Sequence, residues 1–506
     1  MMNPHRFPLA ILALGLGIPI VASAADTTPL SLHGAIAAAV AANPDLKRER
    51  ARVASAEAGI TMALGQFDLI LGSDLGLARK VTPTVCNSND PQCTKDPGSG
   101  QTTTTTGDIY ASRALETGGQ LKLALVGSQV KSAPALSTDA TSTAQTTYRA
   151  GLVLTFTQPL LRGFGREIAE ANLRKARIDT SRAEQTRRMT ANNVLRDVVI
   201  AYWELAYATA DIEIKRSALG LAREQLRITQ AMIEVGRLAQ SDSAAVERAI
   251  AQREEELALS ELAHVNRSLD LAKLLGTWVK PEAALYSAAD APSTVAVAVD
   301  ARTEIERALE GNPQLKALRL GIKLDEIDLA VARATLRPQL DFTASTGPVG
   351  RSRSGLGEAT THAARMDDFD FSAGLAFQWP VQNRAALGST RIAEEALALA
   401  RIDAATYEAL LRDLVLRQVH SLVTTVKRID YGKRQVEFAG RNLDAERARF
   451  SVGRTTNNEI LLRQQELKDA ETRLLRATVD QLVYDTTLAA VTATLLDRHG
   501  VVLGGW

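Results

Sequence analysis

The chain has 506 residues, 45% of them apolar but only 4% aromatic, with 59 basic and 58 acidic side chains. This length holds two or three ordinary domains or one long repetitive one, and the near-neutral charge gives no reason to expect nucleic acid as a partner. Abundant Ala, Leu, Arg, Glu and Gln suit extended helices packed on helices better than a sandwich or an α/β enzyme.

Residues 1–24 read as a secretory signal: His5 and Arg6, an apolar run from Leu9 to Val21, then Ala22-Ser23-Ala24 at the cleavage positions. The run is too short for a membrane anchor, and no Cys follows it for a lipid anchor. No later run is long and apolar enough for a transmembrane helix.

An amphipathic helical stretch leads to Asn43-Pro-Asp-Leu-Lys47, and alternation at Leu69, Leu71, Leu75 and Leu77 predicts a first strand. Residues 81–147 are polar. They hold Cys86 and Cys93, a disulfide candidate in a turn-rich exported loop, since two thiolates without a nearby His make a poor metal site. They also hold Gln101-Thr-Thr-Thr-Thr-Thr106 and a candidate hairpin, Asp108 to Leu115 and Gln120 to Val126, whose place the sequence does not fix. A second strand follows, with Tyr148, Ala150, Leu152, Leu154 and Phe156 apolar. A Pro-free helix then runs from Arg166 to Glu234.

The chain then repeats itself. Asn312-Pro-Gln-Leu-Lys316 matches the first motif, Phe377-Gln-Trp-Pro380 matches Phe156-Thr-Gln-Pro159, Val452-Gly-Arg454 matches Val235-Gly-Arg237, and Leu495-Leu496 matches Leu274-Leu275. The last three pairs are offset by 221, 217 and 221 residues, and such constancy predicts a duplication. Its halves are 25–290 and 291–506, with Pro281 to Pro292 as linker. The second half predicts strands at Leu340, Phe342 and Ala344 and at Phe369 to Trp379, joined by a Gly-, Ser- and Thr-rich stretch from Gly347 to Asp368. Its long helix runs from Arg384 to Phe450, with a coiled-coil seam at Leu411, Val415, Val419, Leu422, Val426, Ile429, Val436, Ala439 and Leu443. At 1.5 Å per residue each long helix is on the order of 100 Å, the length needed to cross a periplasm.

Ten-residue strands with one apolar face fit a membrane barrel, and equally a half-buried soluble sheet. In a membrane, four strands per chain leave open edges that lipid cannot satisfy, so several chains must share one barrel. Three chains give twelve strands and room for an aqueous lumen.

The signal, the Asn-Pro motif, the strand ending Phe-Thr-Gln-Pro-Leu-Leu161 and the paired Val-Gly-Arg turns together resemble the TolC family of outer-membrane efflux proteins. The resemblance implies a mainly α chain with membrane β: a homotrimer whose twelve-stranded β-barrel continues into a periplasmic α-helical barrel. It implies a passive exit channel of a tripartite efflux or type I secretion system. The partners would be outer-membrane lipid, a periplasmic adaptor protein and an inner-membrane transporter, with no cofactor. It further implies that the turns at Val235, Gly236, Arg237 and at Val452, Gly453, Arg454 form the periplasmic tip, where the adaptor docks and the tunnel narrows.

By motif, Glu459 would face the pore as a carboxylate ring. Leu462 stands where a second acidic residue is expected, and Thr455 stands where an Arg would tie the tip helices, with Arg454 adjacent. Ser241 and Asp242 begin the helix after the first turn. Helix capping is an alternative role for Asp242 and for Glu459. No catalytic constellation is visible: the six His residues are scattered, and Gly163-Phe-Gly165 lacks the third glycine of a dinucleotide loop. The rival reading is a soluble periplasmic helical adaptor or scaffold.

Overall fold

The structure is a computed structural model, and it describes residues 27–83, 99–133, 144–277, 285–294 and 299–502. The signal segment and both cysteines lie outside the described residues. In chain order the elements begin with β1 (Thr27–Leu30), α1 (Leu32–Ala42) and α2 (Pro44–Leu64). Four strands follow: β2 (Ile70–Pro83), β3 (Ser99–Ala114), β4 (Gln120–Ala133) and β5 (Gln145–Pro159). Then come α3 (Arg166–Ala169), α4 (Ala171–Glu234) and α5 (Ser241–Leu275). The order then recurs as β6 (Leu285–Ala288), α6 (Ala301–Gly311), α7 (Pro313–Thr335), β7 (Gln339–Ser352), α8 (Leu356–Arg365), β8 (Asp368–Gln378), α9 (Arg384–Ser451), α10 (Asn457–Val491) and α11 (Leu495–Arg498).

The chain divides into two compact units, and each takes residues from both halves of the sequence. One holds β1, α1, β6, α5, the later part of α4 from Asn193, the later part of α9 from Gln418, and nearly all of α10. Here the segment read as a linker carries β6, which pairs in parallel with β1 from Thr27 opposite Leu285 to Leu30 opposite Ala288. The fully buried Tyr202 fastens this small sheet: its hydroxyl donates to Asp290 Oδ2 at 2.7 Å, and the Leu32 N–H donates to the same oxygen at 2.8 Å. Asn43 closes α1, and its side-chain amide donates to the Leu274 carbonyl at 2.8 Å.

The helical seam on α9 follows the expected spacing with one shift. Val426 is 42% exposed, and Thr425 takes the buried place at 1%. The 3-4 rhythm from Leu422 through Thr425 and Ile429 reaches Gly432, where an added Cβ would stand 3.2 Å from Leu474. A small residue lets α10 approach closely there.

The other unit holds α2, the start of α4, α6, α7, α8, the start of α9, α11 and the whole of β2–β5, β7 and β8. Asn312 joins two helices here. It ends α6, its Oδ1 accepts from the Leu315 N–H at 3.1 Å to start α7 with Pro313 in the first turn, and its amide reaches the Val491 carbonyl at 3.1 Å. The repeated Asn-Pro motif is thus a helix joint whose amide also holds the end of the last long helix of its own half.

The sheet corrects the strand count. It has six antiparallel strands in the order β2-β3-β4-β5-β7-β8, not four. The hairpin that the sequence left unplaced is inserted between β2 and β5, turning at Gly118 with φ +88°. The threonine run is strand rather than loop. Thr102 to Thr106 pair with Lys80 to Gly76 on one side and Ser132 to Ser128 on the other, as β-branched residues favour. Toward the end of the sheet nearer the Gly118 turn one face is largely apolar across all six strands, as in the row Leu71, Ala111, Leu123, Leu154, Thr346, Phe371. The opposite face carries Asp74, Asp108, Lys122, Arg149, Arg351 and Asp370, with ion pairs between Asp108 and Lys122 and between Arg149 and Asp370.

The Gly347 to Asp368 stretch is also not plain loop: β7 extends to Ser352 and α8 follows. Helix α8 lies over a row of small residues, Gly127, Ala150 and Gly350. A Cβ on Gly350 would meet the Ala359 carbonyl at 1.9 Å. Among the described residues no helix is long and apolar enough to cross a membrane.

Candidate functional site

The two Val-Gly-Arg turns have the same backbone. Gly236 and Gly453 take φ of +70° and +74°, a conformation an L side chain resists. In the first turn Arg237 N–H bonds Met232 O and Gly236 N–H bonds Ile233 O. In the second, Arg454 N–H bonds Arg449 O and Gly453 N–H bonds Phe450 O. Both are therefore Schellman closures of a very long helix. Val235 and Val452 stand out from them, 69% and 68% exposed. Arg237 and Arg454 are exposed as well.

Behind the turns an apolar cluster of Leu443, Phe450 and Ile460, flanked by Leu221, Ile228, Met232, Leu238 and Leu467, packs the helices of both halves together. Within it lies a band of buried polar groups that sequence reading missed. Asn457, the first residue of α10, is 7% exposed; its Oδ1 accepts from Gln225 Nε2 at 2.8 Å and lies 3.0 Å from the Thr229 hydroxyl. Its own amide reaches the Asp242 carbonyl at 3.4 Å. One side chain thus touches α4, the start of α5 and α10.

Two turns further along, the buried Arg253 of α5 donates to the Ala218 carbonyl and to Gln464 Oε1, both at 2.8 Å. Burial pulls its pKa below the ordinary guanidinium value. Lys468, 9% exposed, donates to Glu256 Oε2 at 2.7 Å. Burial works against ionisation of Glu256, but the Lys468 ammonium outweighs it, aided by Gln252 and Lys215, and the carboxyl sits below its ordinary value. The signal in sequence was faint: Gln225 and Thr229, and then Asn457, Gln464 and Lys468, are polar residues at core spacing on their helices.

The residues singled out from sequence divide between these features. Gly236 and Gly453 form the turns. Asp242 reaches backwards, its carboxylate accepting from the Ala239 N–H at 3.1 Å, while Gln240 rather than Ser241 precedes the helix and Ser241 is exposed. Thr455 is half-buried and makes no bond across the tip among those described. Leu462 is exposed. Glu459 is half-exposed, with Arg463 of its own helix 3.6 Å away; that guanidinium also holds Glu466 at 2.8 Å. The Glu466 carboxylate first, and Glu459 after it, raise the Arg463 pKa above its ordinary value.

Residues 305–494 match the family model of the outer membrane efflux proteins. The match lies within the second half of the chain. Solved structures give the same fold. The outer-membrane channel OprN covers 92% of this chain and 90% of its own at TM-score 0.66 and 16% identity. VceC of Vibrio cholerae covers 91% and 96% at TM-score 0.62 and 16% identity. CmeC of Campylobacter jejuni covers 92% and 86% at TM-score 0.63 and 13% identity. No curated protein sequence matches the chain. The chain thus has the fold of these outer-membrane channels.

Proposed function

We propose that the chain is an outer-membrane exit channel: three copies form one passive duct, serving a tripartite efflux or type I secretion system, and the paired turns are its periplasmic aperture. The observation that carries this is Asn457. A buried amide bonded to helices of both halves, beside two exposed turns, is what a latch between movable helices requires. The latch is made of neutral amides where a salt bridge was expected, because Thr455 stands in place of the Arg. A periplasmic adaptor would dock on Val235 and Val452 and draw the helices apart, and an inner-membrane transporter would supply the energy. Ser241, Arg237 and Arg454 would form the polar rim of that contact.

Glu459 would still line the pore in this reading, but Arg463 compensates its charge. Three copies would give three ion pairs rather than a bare carboxylate ring. The duplicated halves, 25–290 and 291–506, would be two helix pairs per protomer with one turn each. The test is a planar-bilayer recording of the purified protein: Asn457→Ala should widen a narrow resting conductance. A variant that conducts as the wild type does would remove the latch.

A further inference from the structure

The two halves supply unequal numbers of strands: the second gives β7 and β8, the first gives β2 to β5. The surplus is the hairpin of β3 and β4. We propose that this hairpin is barrel wall, so that each chain contributes six strands and β8 of one copy pairs with β2 of the next.

Three observations lead there. The hairpin is paired along its length on both sides, Ile70 to Pro83 against Ser112 to Ser99 and Gln120 to Ser132 against Thr157 to Gln145. Its faces continue those of its neighbours. Ile109, Leu121, Leu123 and Leu125 are exposed on the apolar face with Leu152 and Leu154, while Asp108 and Lys122 lie on the charged one. A hairpin outside the wall would have no reason to keep that sidedness. Finally, adding two strands leaves the directions of β2 and β5 unchanged, so the meander stays antiparallel throughout.

The occupant of the free edges follows from the same geometry. Both β2 and β8 expose apolar residues, Leu71, Leu75 and Leu77 on one and Phe371, Leu375 and Phe377 on the other. Neither has a partner on its outer side among the described residues. Hydrocarbon cannot satisfy such an edge. With six alternating strands β2 and β8 run in opposite directions, so β8 laid beside a neighbouring copy's β2 continues the antiparallel order. Such head-to-tail contacts close into a ring. The number of copies rests on the trimeric reading above: three copies of a six-stranded sheet give eighteen strands. Barrels of that size leave an aqueous channel.

Electron cryomicroscopy of the full-length protein in lipid nanodiscs reads the wall directly. Six strands per chain with a β8–β2 seam between copies are expected. Four strands per chain, with residues 99–133 off the wall, would overturn the proposal. Six strands per chain in a ring of other than three copies would uphold it and overturn the trimer instead. As a second measurement, Leu123→Arg in the hairpin and Leu154→Arg on β5 should both lower outer-membrane assembly several-fold. Normal assembly of Leu123→Arg beside failure of Leu154→Arg would also overturn it.

Discussion

Gln225 of the first half donates its side-chain amide to Asn457 of the second at 2.8 Å, both buried behind the paired turns. Replacing Asn457 by Ala leaves the Gln225 amide and the Asp242 carbonyl without that partner, a loss of about 1–3 kcal/mol for a buried group. Because both groups can reach water once the helices part, the loss favours the open aperture. Asn457→Ala and Gln225→Ala should each raise conductance, and the double variant should add little to either single one, since both remove the same bond.

The turns themselves make a separate prediction. An Ala at Gly236 or Gly453 must hold the left-handed conformation, which costs roughly 1–2 kcal/mol for an L residue, and a Pro cannot adopt it. Gly236→Pro and Gly453→Pro should impair export while the protein still assembles in the outer membrane. Cell fractionation and a drug-susceptibility or secretion assay measure the two effects independently.

Acid should loosen the tip. The Glu256 carboxyl is held below its ordinary value of 4.5 in the folded chain. Its contribution is therefore fully present above that pH and is lost as the pH falls through the depressed folded-state value. Conductance should be flat from neutral down to about pH 4.5, the ordinary carboxylate value, and should rise below it. Glu256→Gln should show the open behaviour at neutral pH and no further acid response. A rise that persists unchanged in Glu256→Gln would assign the effect to another group.

Selectivity depends on Arg463. With its guanidinium 3.6 Å from Glu459, the pore should show only weak cation preference. Arg463→Gln should strengthen that preference and Glu459→Gln should weaken or reverse it. Reversal potentials in a salt gradient decide between these outcomes.

Docking on the exposed Val235 and Val452 should be separable from conduction. Val235→Asp and Val452→Asp should abolish transporter-dependent export, with bilayer conductance unchanged.

Much of the fold was legible because it rests on long periodicities. The two long helices begin and end within a residue or two of where their Pro-free seams do, with one interruption at Glu170, and both glycine turns fall on the repeated Val-Gly-Arg motif. Less was legible where a pattern serves two structures. The threonine run reads as polar loop, yet its alternate members face opposite sides of a strand. Helix α8 was hidden because its sheet-facing residues are Ala359 and Ala363, which carry little hydrophobic signal, and because its support is the side-chain-free Gly350 on the strand just before it. Val426 and Thr425 traded places because the seam follows geometry rather than side-chain polarity. The amide band at the tip was missed for a different reason: Gln225 and Asn457 are far apart in sequence, and only the packing of the two halves brings them together.

The most direct test of the account is a paired recording of wild type and Asn457→Ala in planar bilayers, with the outer-membrane fraction of the same cells as source. A small, steady wild-type conductance that increases several-fold in Asn457→Ala is the expected result. Absence of channel activity in both, with the protein recovered from the soluble periplasm, would contradict an outer-membrane exit channel closed at its paired turns.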